Sequence, residues 1–150
     1  MEKKTTKEKS IRQSVEKYIE AIGRRKTSTA RVRISSATKA SFIVNGKDVK
    51  EYFQTEDERR LVQDPIVKGI IATEGKALPK WKIEAKVSGG GMHSQAEAVR
   101  HGLARALVMS EAELHSKMKT FGFLKRDPRS KERRKFGLKK ARKAPQWSKR

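Results

Sequence analysis

The chain has 150 residues, with 38 Lys+Arg against 17 Asp+Glu and a formal net charge of +21. That length supports one domain with a real core, and not comfortably two. Cysteine is absent and no run of 18 apolar residues occurs, which excludes a disulfide framework, a thiolate metal site and a membrane-spanning helix of ordinary length.

Residues 1–16 are charged and poor in large apolar groups. They bury too little surface to offset the entropy of ordering, so a disordered charged arm is expected there. They lack the apolar stretch of a secretory signal, and Glu2 and Glu8 argue against an organellar transit peptide; a cytoplasmic protein is expected. Residues 17–124 hold most of the aliphatic content and are expected to form the globular body. From Lys125 the composition changes. Residues 125–150 carry 13 Lys+Arg and only two acids, Asp127 and Glu132, a net of +11 and about half the total. An extended basic tail without its own core is expected.

The body reads as mixed α and β. "YIEAIGRRKTSTARVRI" places two β-prone runs around a polar turn rich in Thr and Ser, a hairpin pattern. Val32 and Ile34 alternate with Arg31 and Arg33, so period two separates aliphatic and guanidinium faces. "FIVNGKD" is a short strand ending in the turn signal Asn45-Gly46. Asp48 and Glu51 have capping-box spacing at the start of a helix, and Pro65 is expected to divide that region from a short helix around 66–73. "PKWKIEAKV" alternates again and predicts a core strand with Trp81, Ile83, Ala85 and Val87 on one face. Three glycines follow. Ser94 and Glu97 then predict a capped helix with Ala96, Val99, Leu103, Ala106 and Leu107 as its buried stripe. Gly102 beside that stripe lowers helix propensity, and close packing of helix on sheet would explain it. Ser110 and Glu113 predict the start of another helix running to about Phe121-Gly122.

Catalytic, cofactor and metal sites are not expected. The glycine run Gly89–Gly91 precedes a helix but lacks the Lys-Ser/Thr pair of a Walker motif and the G-x-G-x-x-G spacing. A tight turn and close backbone approach to an RNA phosphate suit it better. His93, His101 and His115 have neither thiolates nor paired carboxylates to make a metal site; His93 sits in the glycine loop, the other two read as surface or boundary residues. The acids Asp57, Glu58, Glu111 and Glu113 read as helix-start charges. The chain is therefore not expected to be an enzyme.

The strong signals are cationic. A compact chain of this charge repels itself, and a polyanion relieves the repulsion. Nucleic acid is the expected partner, with an anionic membrane surface as the main rival. Arg24, Arg25 and Lys26 stand at the hairpin turn, Thr27 adds a hydroxyl, and Arg31 and Arg33 extend the surface; Arg suits bidentate phosphate contacts. In the tail, Arg126, Arg129, Arg133, Arg134, Lys135, Lys139, Lys140, Arg142 and Lys143 are interleaved with Phe136, Leu138 and Trp147. Aromatic side chains stack on exposed bases. Fully extended, these last residues would span on the order of 85–90 Å. A sequence-independent DNA-compacting or RNA-chaperone protein would use the same charges.

Three blocks, "GRRKTSTARV" at 23–32, "GGGMHSQAEAVRHGLARAL" at 89–107 and "RDPRSKERRKFGLKKARKAPQWSKR" at 126–150, resemble the bacterial type of small-subunit ribosomal protein S-nine. The resemblance covers residues 18–150. The chain departs from the family's commoner residues at Ser94, Lys125 and Trp147. The resemblance implies an α+β two-layer sandwich: a four-stranded sheet, helices on one face, a left-handed βαβ crossover and a long extended C-terminal tail. It implies a structural role in the head of the small ribosomal subunit, with rRNA of the major 3′ domain and neighbouring head proteins as partners. The tail would reach peptidyl-site tRNA through Ser148, Lys149 and Arg150.

Overall fold

The computed structural model describes residues 17–71 and 80–149. The arm expected over residues 1–16 lies outside them. Strand β1 (Ile19–Arg25) and strand β2 (Ser28–Ser36) form the expected hairpin. Its turn is tighter than the sequence indicates, because Ser28 and Thr29 already pair across the strands. Lys26 turns the chain at φ 50°, in the left-handed region that side chains other than Gly and Asn seldom occupy.

Strand β3 (Ser41–Val44) ends at Asn45 (φ 49°) and Gly46 (φ 82°), positive at both central positions as a tight hairpin turn requires. The chain reverses there and forms a two-residue strand β4 (Lys47–Asp48) before helix α1 (Val49–Tyr52) begins. The sheet thus has five strands where four are implied by the resemblance. The extra one is short because Asp48, its last residue, is also the helix cap and accepts from the Lys50 N–H at 2.9 Å.

Pro65 does not divide two helices. It lies inside helix α2 (Glu56–Ile66), which passes directly into a π-helical turn (Val67–Ile71). Proline has no N–H to donate and its ring crowds the carbonyl four residues back, yet the Val67 N–H still reaches the Gln63 carbonyl and the helix runs on through it. Residues 72 and 73, also expected in that second helix, lie outside the described residues.

Strand β5 (Trp81–Ser88) is the predicted core strand, with Ile83, Ala85 and Val87 buried. Helix α3 (Met92–Ser110) starts two residues before Ser94, with Gly91 as its cap residue. Ser94 sits inside the first turn, where its hydroxyl accepts from the Gly91 N–H (3.3 Å) and donates to the Gly91 carbonyl (3.1 Å). Ser110 likewise ends α3 rather than capping the next helix. Helix α4 (Leu114–Thr120) follows and closes on Gly122 (φ 74°). The Phe123 N–H donates to Met118 O and the Gly122 N–H to Lys119 O, a Schellman pair that satisfies the last carbonyls.

The strand order is β1-β2-β5-β3-β4. All neighbours are antiparallel except β3 and β5, which run parallel across the connection carrying α1, α2 and the π turn. Register aligns Ala21, Val32, Ala85 and Val44 in one row and Ile19, Ile34, Ile83 and Phe42 in the next. That face is covered by α3, which is packed in turn by α2 and α4. The predicted stripe of α3 is buried, and Ala98 and Ala104 join it, because neighbours flank the helix on more than one side. Burying a side chain such as Leu103 or Leu107 contributes about 1.5–3 kcal/mol. Among the described residues, no helix is long and apolar enough to cross a membrane.

Candidate nucleic-acid interface

Among the described residues no helix covers the sheet face away from α3, and strand alternation sends the cations there. Register sets Ile22, Arg31 and Lys86 side by side, with Arg24, Thr29 and Ser88 in the next row towards the hairpin turn. A shallow cleft of about 300 Å³ lies among Ile22, Thr29, Arg31, Lys86, Val87 and Ser88. Arg31 and Lys86 are exposed and directly opposite. Like charges so placed repel in the isolated protein. Farther along, the charges are compensated: Arg33 donates to Glu20 at 2.6 Å and lies 4.6 Å from the Tyr18 ring centroid. The Glu20 hydrogen bond raises the Arg33 pKa further above its usual value. Arg24 and Lys26 are exposed at the hairpin end.

The glycine loop is packed onto the hairpin turn. Gly89 (φ 74°) and Gly90 (φ 64°) hold conformations that side chains resist, and a Cβ on Gly90 would lie 2.0 Å from the Ser28 hydroxyl. Ser28 donates to the Gly89 carbonyl at 3.0 Å, as does Gln95 Nε2. Tyr52 in turn donates to Gln95 Oε1 (2.8 Å) and accepts from Asn45 (3.2 Å), tying the loop to the β3 turn. Gly89 and Gly90 therefore shape the loop, while Gly91 faces open space. The predicted loop residues Gly89, Gly90 and Gly91 are all exposed, as is the neighbouring His93 at the start of α3.

Arg25 stands apart from the other hairpin cations. Its side chain is only 11% exposed. Nε donates to Glu97 Oε2 at 2.5 Å, and Nη1 donates to the carbonyl of Arg129 at 2.5 Å. Nη2 lies 3.1 Å from Asp127 Oδ2. Glu97 thus meets Arg25 and does not cap its own helix. Asp127 also accepts from the Arg129 guanidinium and backbone N–H, and these bonds, with Arg25 nearby, hold its carboxyl down to about 2.

His101 makes a second tie at the same junction. Its Nδ1 accepts from the Arg24 backbone N–H (3.3 Å), which leaves Nε2–H to donate to the Leu124 carbonyl (3.3 Å). Arg105 donates to the Ile22 carbonyl at 2.6 Å. Together they satisfy polar groups on the outer edge of β1, a strand edge otherwise open to pairing. A cleft of about 470 Å³ runs along this edge, with Arg24, Arg105 and Arg126 beside Ile22 and Met109.

Beyond Arg129 the tail makes only local bonds among the described residues. Arg142 pairs with Glu132, Arg134 donates to the Leu138 carbonyl at 3.2 Å, and Gly137 (φ 80°) turns the chain. The predicted cations Arg133, Lys135, Lys139, Lys140 and Lys143 are exposed, as are Phe136, Trp147, Ser148 and Lys149. Arg150 lies outside the described residues.

The sequence left Lys86 unassigned, gave Glu97 a capping role and read His101 as a surface or boundary residue. Alternation along β5 already sent Lys86 to the outer face, but only register brings it to Arg31. No local pattern marks the tie of Glu97 to Arg25 or that of His101 to Arg24, each more than 70 residues away in the chain. No group of three or more His, Cys, Asp or Glu able to hold a metal occurs among the described residues.

The sequence model of a known family, described as ribosomal protein S9/S16, matches residues 23–150. The match takes in the hairpin turn, the glycine loop, α3 and the whole tail. This chain belongs to the ribosomal protein S9/S16 family and is a structural constituent of the small ribosomal subunit, the ribonucleoprotein of translation.

Proposed function

We propose that this protein binds rRNA of the subunit head, in the major 3′ domain, and reaches peptidyl-site tRNA with the end of its tail. The observation that carries the reading is the uncompensated row on the bare sheet face, Arg31 opposite Lys86, with Arg24 in the next row. Two like charges held directly opposite cost stability in the free protein, and a phosphate between them turns repulsion into attraction. Arg24, Lys26 and Thr27 extend that surface at the turn. Gly89, Gly90 and Gly91 add backbone that RNA approaches closely. Arg126 and the tail cations carry it away from the body, with Phe136 and Trp147 as stacking platforms. Ser148, Lys149 and Arg150 touch the tRNA. Neighbouring head proteins complete the site, the work is done on the cytoplasmic ribosome, and no catalytic step is involved. The same family reading gives the β3-to-β5 crossover a left-handed sense.

The test has two arms. Arg31→Ala with Lys86→Ala should reduce the salt dependence of rRNA binding by roughly 0.9 in log–log slope for each phosphate the pair neutralises. Deleting residues 148–150 should leave folding and subunit incorporation intact and weaken peptidyl-site tRNA binding. An unchanged salt slope overturns the sheet-face role. Unchanged tRNA affinity at near-physiological magnesium overturns the tail-tip role.

A further inference from the structure

The hairpin signature places Arg25 between two cations, as if all three met RNA. Its surroundings are of another kind. The guanidinium fork is occupied on both edges: Glu97 of α3 on one side, Asp127 and the Arg129 carbonyl of the tail on the other. The cluster is balanced, with Arg25 and Arg129 against Glu97 and Asp127. A phosphate would have to displace carboxylates from a mostly buried arginine, and the bare carboxylates would then repel it. Arg24, Lys26 and Arg31 are exposed and meet no such obstacle among the described residues.

Every tie of the tail to the body among the described residues falls between Phe123 and Arg129. Phe123 is buried, with the Arg100 guanidinium 5.7 Å from its ring centroid. The Leu124 carbonyl accepts from His101, and Arg25 holds Asp127 and Arg129. We propose that Arg25 and Glu97 are positioning residues: they lock the tail's root onto β1 and α3 before RNA is bound, so that the reaching segment begins at Ser130 and not at Lys125. Its span is then on the order of 70 Å, and its exit direction is set by the protein. The consequence for RNA rests on the function proposed above; the lock itself does not.

The signs of two substitutions separate positioning from direct RNA binding. Glu97→Gln removes a negative charge, so simple electrostatics makes it bind RNA more tightly. A broken lock makes it bind more weakly, about threefold, because the tail samples unproductive directions. Hydrogen exchange on the free full-length chain reads the lock directly. In the root, the Lys125 and Arg129 amides, which donate to Gly122 O and Asp127 Oδ1, should be protected in the parent protein, and Arg25→Ala and Glu97→Gln should each speed their exchange about tenfold while the α3 core is unchanged. The rRNA salt slope should be the same in all three proteins.

Tighter rRNA binding by Glu97→Gln overturns the proposal. So does a slope reduced by roughly 0.9 in Arg25→Ala with the root still protected, which is the mark of a directly neutralised phosphate. If Arg25→Ala does not fold, Asp127→Asn replaces it in the exchange measurement. Failure of the parent chain to bind rRNA would defeat the function above, yet the exchange result would still decide the lock.

Discussion

Gly23 on β1 and Gly102 on α3 meet backbone to backbone. A Cβ on Gly23 would lie 2.0 Å from the Ala98 carbonyl oxygen and 2.3 Å from the Gly102 nitrogen. A Cβ on Gly102 would lie 2.8 Å from Val32 Cγ2. Neither glycine has a positive φ, so proximity is the reason for both. Gly23→Ala should therefore destabilise by at least about 1–3 kcal/mol, and more than Gly102→Ala, because its closest clashes are with backbone, whereas that of Gly102 is with a side-chain methyl. Urea midpoints read this directly. Equal, negligible shifts would show that α3 lifts off the sheet at little cost.

His101 predicts acid sensitivity. Burial lowers its pKa below the ordinary 6.5, Arg105, Arg100 and Arg126 push the same way, and only the Leu124 carbonyl opposes them. The unfolded chain then binds the extra proton more readily than the folded one. Its contribution is present above about 6.5 and is lost as pH falls through the lower folded value. Unfolding free energy should drop between pH 7 and pH 5, and the drop should be smaller in His101→Ala. Identical slopes would mean that the imidazole is already free of the Arg24 and Leu124 bonds.

Phe136 and Trp147 are exposed and touch no core, so Phe136→Ala and Trp147→Ala should leave thermal unfolding unchanged. Stacking on unpaired bases contributes roughly 1–3 kcal/mol per aromatic, and rRNA affinity should fall accordingly. With Trp81→Phe the chain keeps a single tryptophan, and its fluorescence should quench on adding RNA. Unquenched Trp147 emission in the saturated complex would count against stacking there.

Most strands and helices were legible because their signals are local. Period two marked β2 and β5, Asn45-Gly46 marked a turn, and the apolar stripe marked α3. The misreadings have local causes too. Ser94 and Ser110 have capping-box spacing, but the helix-start signal competes with a glycine turn at Gly91 and with a helix that simply continues to Ser110. Pro65 reads as a breaker, yet α2 runs through it. The two-residue β4 is too short for any periodic signal.

The candidate interface divided in the same way. Sequence alone determined that the protein is a cationic α+β domain with a basic tail, because charge counts and alternation need no partner to be read. It also determined that Arg31 and Arg33 share a face. Tertiary structure decided which cations are available. Arg33 is compensated by Glu20, Arg31 gains Lys86 as a like-charged neighbour, and Arg25, written into the chain between Arg24 and Lys26, turns inward to hold the tail. Charge at a residue is a property of composition, but its availability to a partner depends on what folding places within about 4 Å of it, and that distance is not written along the chain.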